Sequence, residues 1–123
     1  EGNPMKSYTM KPGRYVITDA CQSKNYDDTI LDGFYEFDRG DSGQFGETVL
    51  TCIGGDGCGL VRDMNNQEVG HWGADAANVS IIPAEDTGEV PIHYGTYIEF
   101  DSEFTVVVYY DTIVVGDRYR VRY

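Results

Sequence analysis

Few side chains in this sequence are equipped for chemistry. Three cysteines stand at Cys21, Cys52 and Cys58, and an odd number leaves one thiol unpaired or bound to another chain. Cys52 and Cys58 flank Ile53-Gly54-Gly55-Asp56-Gly57, a loop flexible enough to let two sulfurs meet. A disulfide is therefore expected among the three, with its pairing left open. A metal centre is not expected, because no Cys-x-x-Cys spacing exists and His71 and His93 have no ligand-type neighbours in sequence. No cofactor is expected either.

The stretch Gly40-Asp41-Ser42-Gly43 matches the tetrapeptide around the nucleophilic serine of trypsin-like proteases. Such a serine needs an oriented histidine base and an acid to hold that base. Neither histidine sits in a supporting motif, and a hairpin turn explains the same residues, so the chain is read as non-catalytic. The turn also spells Arg39-Gly40-Asp41-Ser42, which integrins recognise when a loop tip holds Arg and Asp apart; Arg39, Gly40 and Asp41 are thus a candidate interaction loop. Asp38 with Asp41, Asp27-Asp28 and Glu85-Asp86 make oxygen-rich loops, but none has the spacing of a calcium-binding EF-hand. They read as a solvated acidic surface. Asn78-Val79-Ser80 is an N-glycosylation sequon.

Arg118, Arg120 and Arg122 form a basic cluster, and a period of two puts all three on one face of a final strand. The expected arrangement is outward, laddered against acidic neighbours. Turned inward they would hold a carboxylate or phosphate group, at the cost of burying charge. The aromatic content, with 10 Tyr and 5 Phe, is the remaining feature. Tyr combines apolar area with a hydroxyl that satisfies a buried hydrogen bond. Tyr35, Phe37, Trp72, Tyr97, Phe100, Val107 and Tyr109 are candidates for the wall of an apolar cavity, with Arg120 meeting a polar headgroup.

The elements that must position these residues follow from size and pattern. The chain has 123 residues, and 9 Lys+Arg against 21 Asp+Glu give a formal net charge of −12. One domain is expected over residues 11–123, after a loose leader over residues 1–10. The charge argues against a nucleic-acid partner and selects for a basic one. No apolar run is long enough for a membrane span.

Apolar alternation with a period of two runs nearly throughout, over 15–18, 31–38, 49–53, 60–61, 79–82, 97–100, 104–110, 113–115 and 118–123. Gly, Asp and Asn turns separate these segments, as at Asp38–Gly43, Gly54–Gly57 and Gly116-Asp117. Residues 74–78 have room for one helical turn. The pattern predicts an all-β fold, an antiparallel up-and-down meander of about 8–10 short strands. A small closed barrel removes the exposed edges such a meander would leave. A two-sheet sandwich shares the same local pattern.

The order of motifs resembles the lipocalin-like small barrels of the calycin group, as found in secreted proteins and lipoproteins. It runs from Gly13-Arg14-Tyr15, where lipocalins carry Gly-x-Trp, through Gly33-Phe34-Tyr35-Glu36-Phe37-Asp38 and a Gly-rich turn. Gly70-His71-Trp72-Gly73 follows, and then a last strand with an Arg. The resemblance covers residues 12–123 and departs from the family at Tyr15. It implies a barrel with a hydrophobic ligand cavity, no catalysis, and a place outside the cytoplasm, whether secreted, periplasmic or lipoprotein-anchored. It also implies a bridge from Cys21 to Cys52 or Cys58, whose longer loop would contribute ~3 kcal/mol, and Arg120 packed over Tyr15. The expected function is non-catalytic binding of a small apolar or amphipathic molecule inside the barrel. The alternative is a packed domain that acts through its acidic loops on a protein partner, as an interaction, adhesion or inhibitor module.

Overall fold

The computed structural model describes residues 4–123. Eleven strands carry the described fold: β1 (Lys6–Met10), β2 (Gly13–Thr18), β3 (Ser42–Phe45), β4 (Thr48–Cys52), β5 (Gly57–Asp63), β6 (Glu68–Ala74), β7 (Asn78–Pro83), β8 (Thr96–Phe100), β9 (Phe104–Val108), β10 (Thr112–Val115) and β11 (Tyr119–Arg122). They pair antiparallel in two sheets, β1-β9-β10-β11-β5-β6 and β3-β4-β7-β2-β8. Among the described residues no helix is long and apolar enough to cross a membrane.

The all-β expectation holds, while the closed barrel and the sequential meander do not. The chain crosses between sheets, so β7 lies between β4 and β2, and β11 pairs with β5. The flanks where a barrel would close carry stitches rather than ladders. On one side Tyr8 Oη and Ser42 Oγ share a hydrogen bond at 2.7 Å, and Gln44 Nε2 donates to the Thr9 carbonyl at 3.3 Å. On the other, Gly73 N–H donates to the Tyr94 carbonyl at 3.0 Å, and Thr96 Oγ1 donates to the His71 carbonyl at 2.7 Å. The result is a sandwich with laced sides.

Three local expectations also change. Residues 6–10 are not a loose leader but strand β1, in register with β9 from Lys6 opposite Val108 to Met10 opposite Phe104. Met10 is fully buried, and that burial ties the strand down. Residues 1–3 of that leader lie outside the described residues. The strand expected over 31–38 is helical instead: a π-helical turn, Tyr26–Ile30, runs into α1 (Leu31–Phe34). Tyr26, Ile30, Phe34 and Phe37 recur at helical spacing and cover Leu50 and Phe45. The helical turn expected near 74–78 is a bend between β6 and β7, with Ala77 in a left-handed conformation at φ 59°.

The core lies between the sheets. Met10, Tyr15, Ile17, Val49, Val61, Trp72, Ile81, Phe104 and Ile113 meet there. Phe100 stacks on Phe104 at 3.8 Å, and Tyr15 packs edge-on against Phe104 at 5.3 Å. Trp72 lies so close under β5 that a Cβ on Gly59 would come within 2.8 Å of its Nε1. The five-stranded sheet is also covered on its outer face. The helical segment covers Leu50, and the 84–95 segment covers Val16 and Ile82 with Val90 and Tyr94. Every residue of β4 and β7 is accordingly buried, the polar Thr48, Thr51, Asn78 and Ser80 included.

A buried polar knot fixes the crossing from β2 to β7. Asp19, fully buried, accepts from the backbone N–H of Cys21 at 2.7 Å and of Ala76 at 2.7 Å, and from Asn78 Nδ2 at 3.1 Å. Asn78 Oδ1 in turn accepts from Ala20 N–H and from Ser80 Oγ, each at 2.8 Å. Removing the Asp19 carboxylate orphans three donors, each worth about 1–3 kcal/mol when left unsatisfied. Asp19→Ala is expected to lower the unfolding free energy by about 3 kcal/mol or more. Asp19→Asn, which keeps one acceptor oxygen, should cost clearly less; urea unfolding of both variants measures the difference.

Candidate functional site

The residues expected to wall a single cavity are dispersed through the sandwich. Trp72 and Phe100 sit in the inter-sheet core at 3% and 7% exposure, surrounded by packed side chains. Phe37 belongs to the helical cover and packs near Phe34 and Phe45. Tyr97 lies on the outer face of β8, where the Arg14 guanidinium sits 4.5 Å from its ring centre. Tyr35 is 82% exposed beyond α1. Val107 is half-buried opposite Ser7 and Val114, and Tyr109 spends its carbonyl on the Tyr123 hydroxyl. Strand alternation turns Trp72 and Phe100 to the inter-sheet core and Tyr97 to an outer face, while Tyr35 and Phe37 lie on no strand at all.

Arg120 does not pack over Tyr15. Tyr15 is in the core and its hydroxyl donates to the Lys11 carbonyl at 2.8 Å. Arg120 stands on the outer face of the other sheet, opposite Arg62 of β5 and Val114 of β10. Arg118 leaves the row altogether, because the Gly116-Asp117 turn places its guanidinium over Phe100 at 5.0 Å and Tyr119 at 5.4 Å.

The Arg39-Gly40-Asp41 loop is folded down rather than raised as a tip. Arg39 lies over the rings of Tyr110 and Tyr123, at 5.3 and 5.1 Å, and donates to the Tyr123 carbonyl at 3.2 Å. Gly40 is buried and its N–H donates to the Cys52 carbonyl at 2.8 Å. Asp41 uses its carboxylate to cap the Asp38 N–H at 2.9 Å. Ser42 is held by Tyr8, not by a histidine. Asn78, the sequon residue, is fully buried in the knot around Asp19 and presents nothing to an external enzyme. Among the described residues no three His, Cys, Asp or Glu side chains gather within reach of one metal ion.

The expected disulfide is absent: all three cysteines are free. The alternation along the strands gives the reason. Cys52 turns to the helical cover, with its thiol 3.7 Å from the Phe37 carbonyl, while Cys58 lies in the other sheet and faces out from β5, paired with Gly73 of β6. Cys21 sits in a short turn after β2, beside Asp19. Its thiol pKa is pushed up to about 12, first by burial and then by the Asp19 charge and hydrogen bond. Burial raises the Cys52 thiol as well.

One concave surface was not visible as a motif. A groove of about 760 Å³ runs between β6 and residues 89–97. Val90 and Tyr97 lie along it; Val69 and Ile92, 44% and 83% exposed, stand beside it, and Glu68 and Glu89 rim it. The 89–97 segment is held firmly. The Tyr94 carbonyl accepts from both Gly73 N–H and Thr18 Oγ1, the Tyr94 hydroxyl donates to the Asp75 carboxylate at 2.5 Å, and Val90 N–H donates to Tyr97 Oη at 3.1 Å. The sequence signal was Glu89-Val90-Pro91-Ile92, apolar residues broken by a proline that fits no strand ladder.

Two outcomes follow from the thiols. In the folded protein a neutral alkylating reagent at pH 8 should label Cys58 alone, with Cys21 and Cys52 labelled only after unfolding, as peptide mass mapping would show. The second concerns alkali. The fold holds the Cys21 thiol protonated, its pKa raised from 9.0 to about 12, and the Tyr123 phenol likewise, from 10.0 to about 12. Their contribution is complete below the unfolded values and is lost as pH rises through the folded ones. Unfolding midpoints should fall between pH 9 and 12, and Cys21→Ser should flatten the early part of that fall.

The chain matches no protein-family model, and no curated protein or solved structure matches it. The lipocalin-like resemblance therefore rests on its short motifs alone, and function has to be argued from the surfaces of this domain.

Proposed function

We propose that this domain is a non-catalytic binding module that works from its surface. It docks a basic partner segment carrying an apolar anchor in the groove between β6 and residues 89–97. The observation that carries this reading is the pairing of exposed Val69 and Ile92 with rim carboxylates of Glu68 and Glu89 in a chain of net charge −12. An apolar anchor entering the groove removes Val69 and Ile92 from water. The rim and the long-range field select cationic neighbours for that anchor and speed its approach. A ligand inside the sandwich is the weaker reading, because Trp72 and Phe100 are engaged in core packing.

The hydrogen bonds of Tyr94, Thr96 and Tyr97 on either side of the groove fix its shape before binding, so little ordering is left for the partner to drive. The test is an NMR titration with a short peptide of alternating lysine and leucine. Amide shifts should concentrate on Val69, Gly70, Ile92 and Thr96 and weaken as salt rises. Ile92→Ser should reduce affinity at least about tenfold while leaving the fold intact. Shifts scattered over the acidic surface, or affinity indifferent to Ile92→Ser, would sink the reading.

A further inference from the structure

A second surface has the opposite charge. On the outer face of the six-stranded sheet a cleft of about 610 Å³ is lined by Arg62, Arg120 and Arg122, with Leu60 and Thr112. Three of the chain's nine Lys and Arg residues thus converge, and among the described residues no carboxylate lines the cleft. The register makes the convergence close: Arg62 of β5 and Arg120 of β11 are direct cross-strand partners, and Arg122 lies two residues along on the same face. Like charges placed directly opposite destabilise a sheet. Arg62 has a partial counter-charge in Glu68, 3.8 Å away, and a bound anion would add another between the opposed guanidinium groups.

The arginines are also held in place. Arg62 Nη1 donates to the Asn66 carbonyl at 3.0 Å, and its Nη2 lies 3.8 Å from Glu68 Oε1. Arg120 has contacts of its own within the fold. Thr112, almost fully buried, gives its hydroxyl hydrogen to Asp111 Oδ1 at 3.0 Å, which leaves its oxygen lone pairs rather than a donor toward the cleft. The charged donors at the site are the guanidinium forks, whose geometry matches the oxygens of a carboxylate, phosphate or sulfate, and Asn66 also lines it.

We propose that this cleft binds a doubly charged tetrahedral oxyanion, a phosphate or sulfate group, between Arg62, Arg120 and Arg122. The choice of a dianion follows from the charge of the whole molecule. A field of −12 opposes the approach of any anion, so retention depends on short-range contacts to several forks at once. A group with two charges and three or four oxygens uses all three arginines, whereas a single carboxylate satisfies one or two. This site is independent of the groove beside residues 89–97, and neither proposal needs the other.

The experiment is a titration of the isotopically labelled chain with inorganic phosphate, inorganic sulfate and glycerol phosphate, each against sodium chloride at equal ionic strength. Saturable shifts of the Leu60, Arg62, Thr112, Arg120 and Arg122 signals, with a rise in melting temperature, support the site. Glycerol phosphate binding as well as free phosphate identifies a group carried on a larger molecule; its exclusion identifies a free-ion site. Arg62→Gln should weaken the anion at least about tenfold; because it also removes the Arg62 contacts to Asn66 and Glu68, its melting temperature without anion is measured alongside. Arg122→Gln, at an exposed position, is the second variant and should weaken the anion similarly. Chloride producing the same shifts, or both variants binding phosphate like the parent, would overturn the proposal.

Discussion

The architecture depends on a single buried carboxylate. Asp19 sits where β2 ends and ties together three segments: the turn through Cys21, the bend at Ala76 and the start of β7 at Asn78. Burying a carboxylate is costly unless it is well solvated by the protein, and three N–H donors supply that solvation. Asn78 extends the knot to Ala20 and Ser80, so the first residues of the helical cover are positioned by the same group. With this crossing fixed, β2 lies between β7 and β8 and offers one face to the core and the other to the 84–95 segment.

A two-faced sheet in a chain of this size leaves little apolar surface for an internal cavity. The side chains that alternate along β2, β4 and β7 are committed on both sides, to the inter-sheet core or to the outer covers. The proposed binding is accordingly placed on the exterior, and the exterior is divided by charge. The acidic rim of the groove and the arginine cleft adjoin at the ion pair of Arg62 with Glu68, across the hairpin of β5 and β6. The bulge between Val61 and Arg62 shifts the register there and lets two neighbouring surfaces of opposite sign share one hairpin.

The sequence made the secondary-structure class legible, and the tertiary arrangement much less so. Alternation around Tyr15, Val49, Ile81, Ile98 and Ile113 marked true strands, and Gly116-Asp117 marked a true turn. Over 31–38 two periods fitted the same letters. Leu31, Gly33, Tyr35 and Phe37 alternate, yet Tyr26, Ile30, Phe34 and Phe37 also follow a helical stripe, and the helix won. The absence of any β-branched residue between Leu31 and Asp38 was the available clue. Pairing between distant strands leaves no trace in local periodicity, so sandwich and barrel were indistinguishable. The arginine row was visible along β11, but Arg62 was not, because cross-strand partners become neighbours only once the register exists.

That same topology bears on how the chain reaches its native state. The neighbours of β2 are β7 and β8, and the neighbour of β1 is β9. The first two strands therefore emerge during synthesis with nothing local to pair with. Met10, Val16 and Ile17 stay unprotected until residues some sixty to ninety positions later have been made. Loop closures of that length make such folds slow to nucleate. The hairpins β3–β4, β5–β6 and β10–β11 are free to form early, while β1 and β2 enter as the closing pieces. For this chain the interval before closure, rather than the finished sandwich, is the stage most exposed to aggregation.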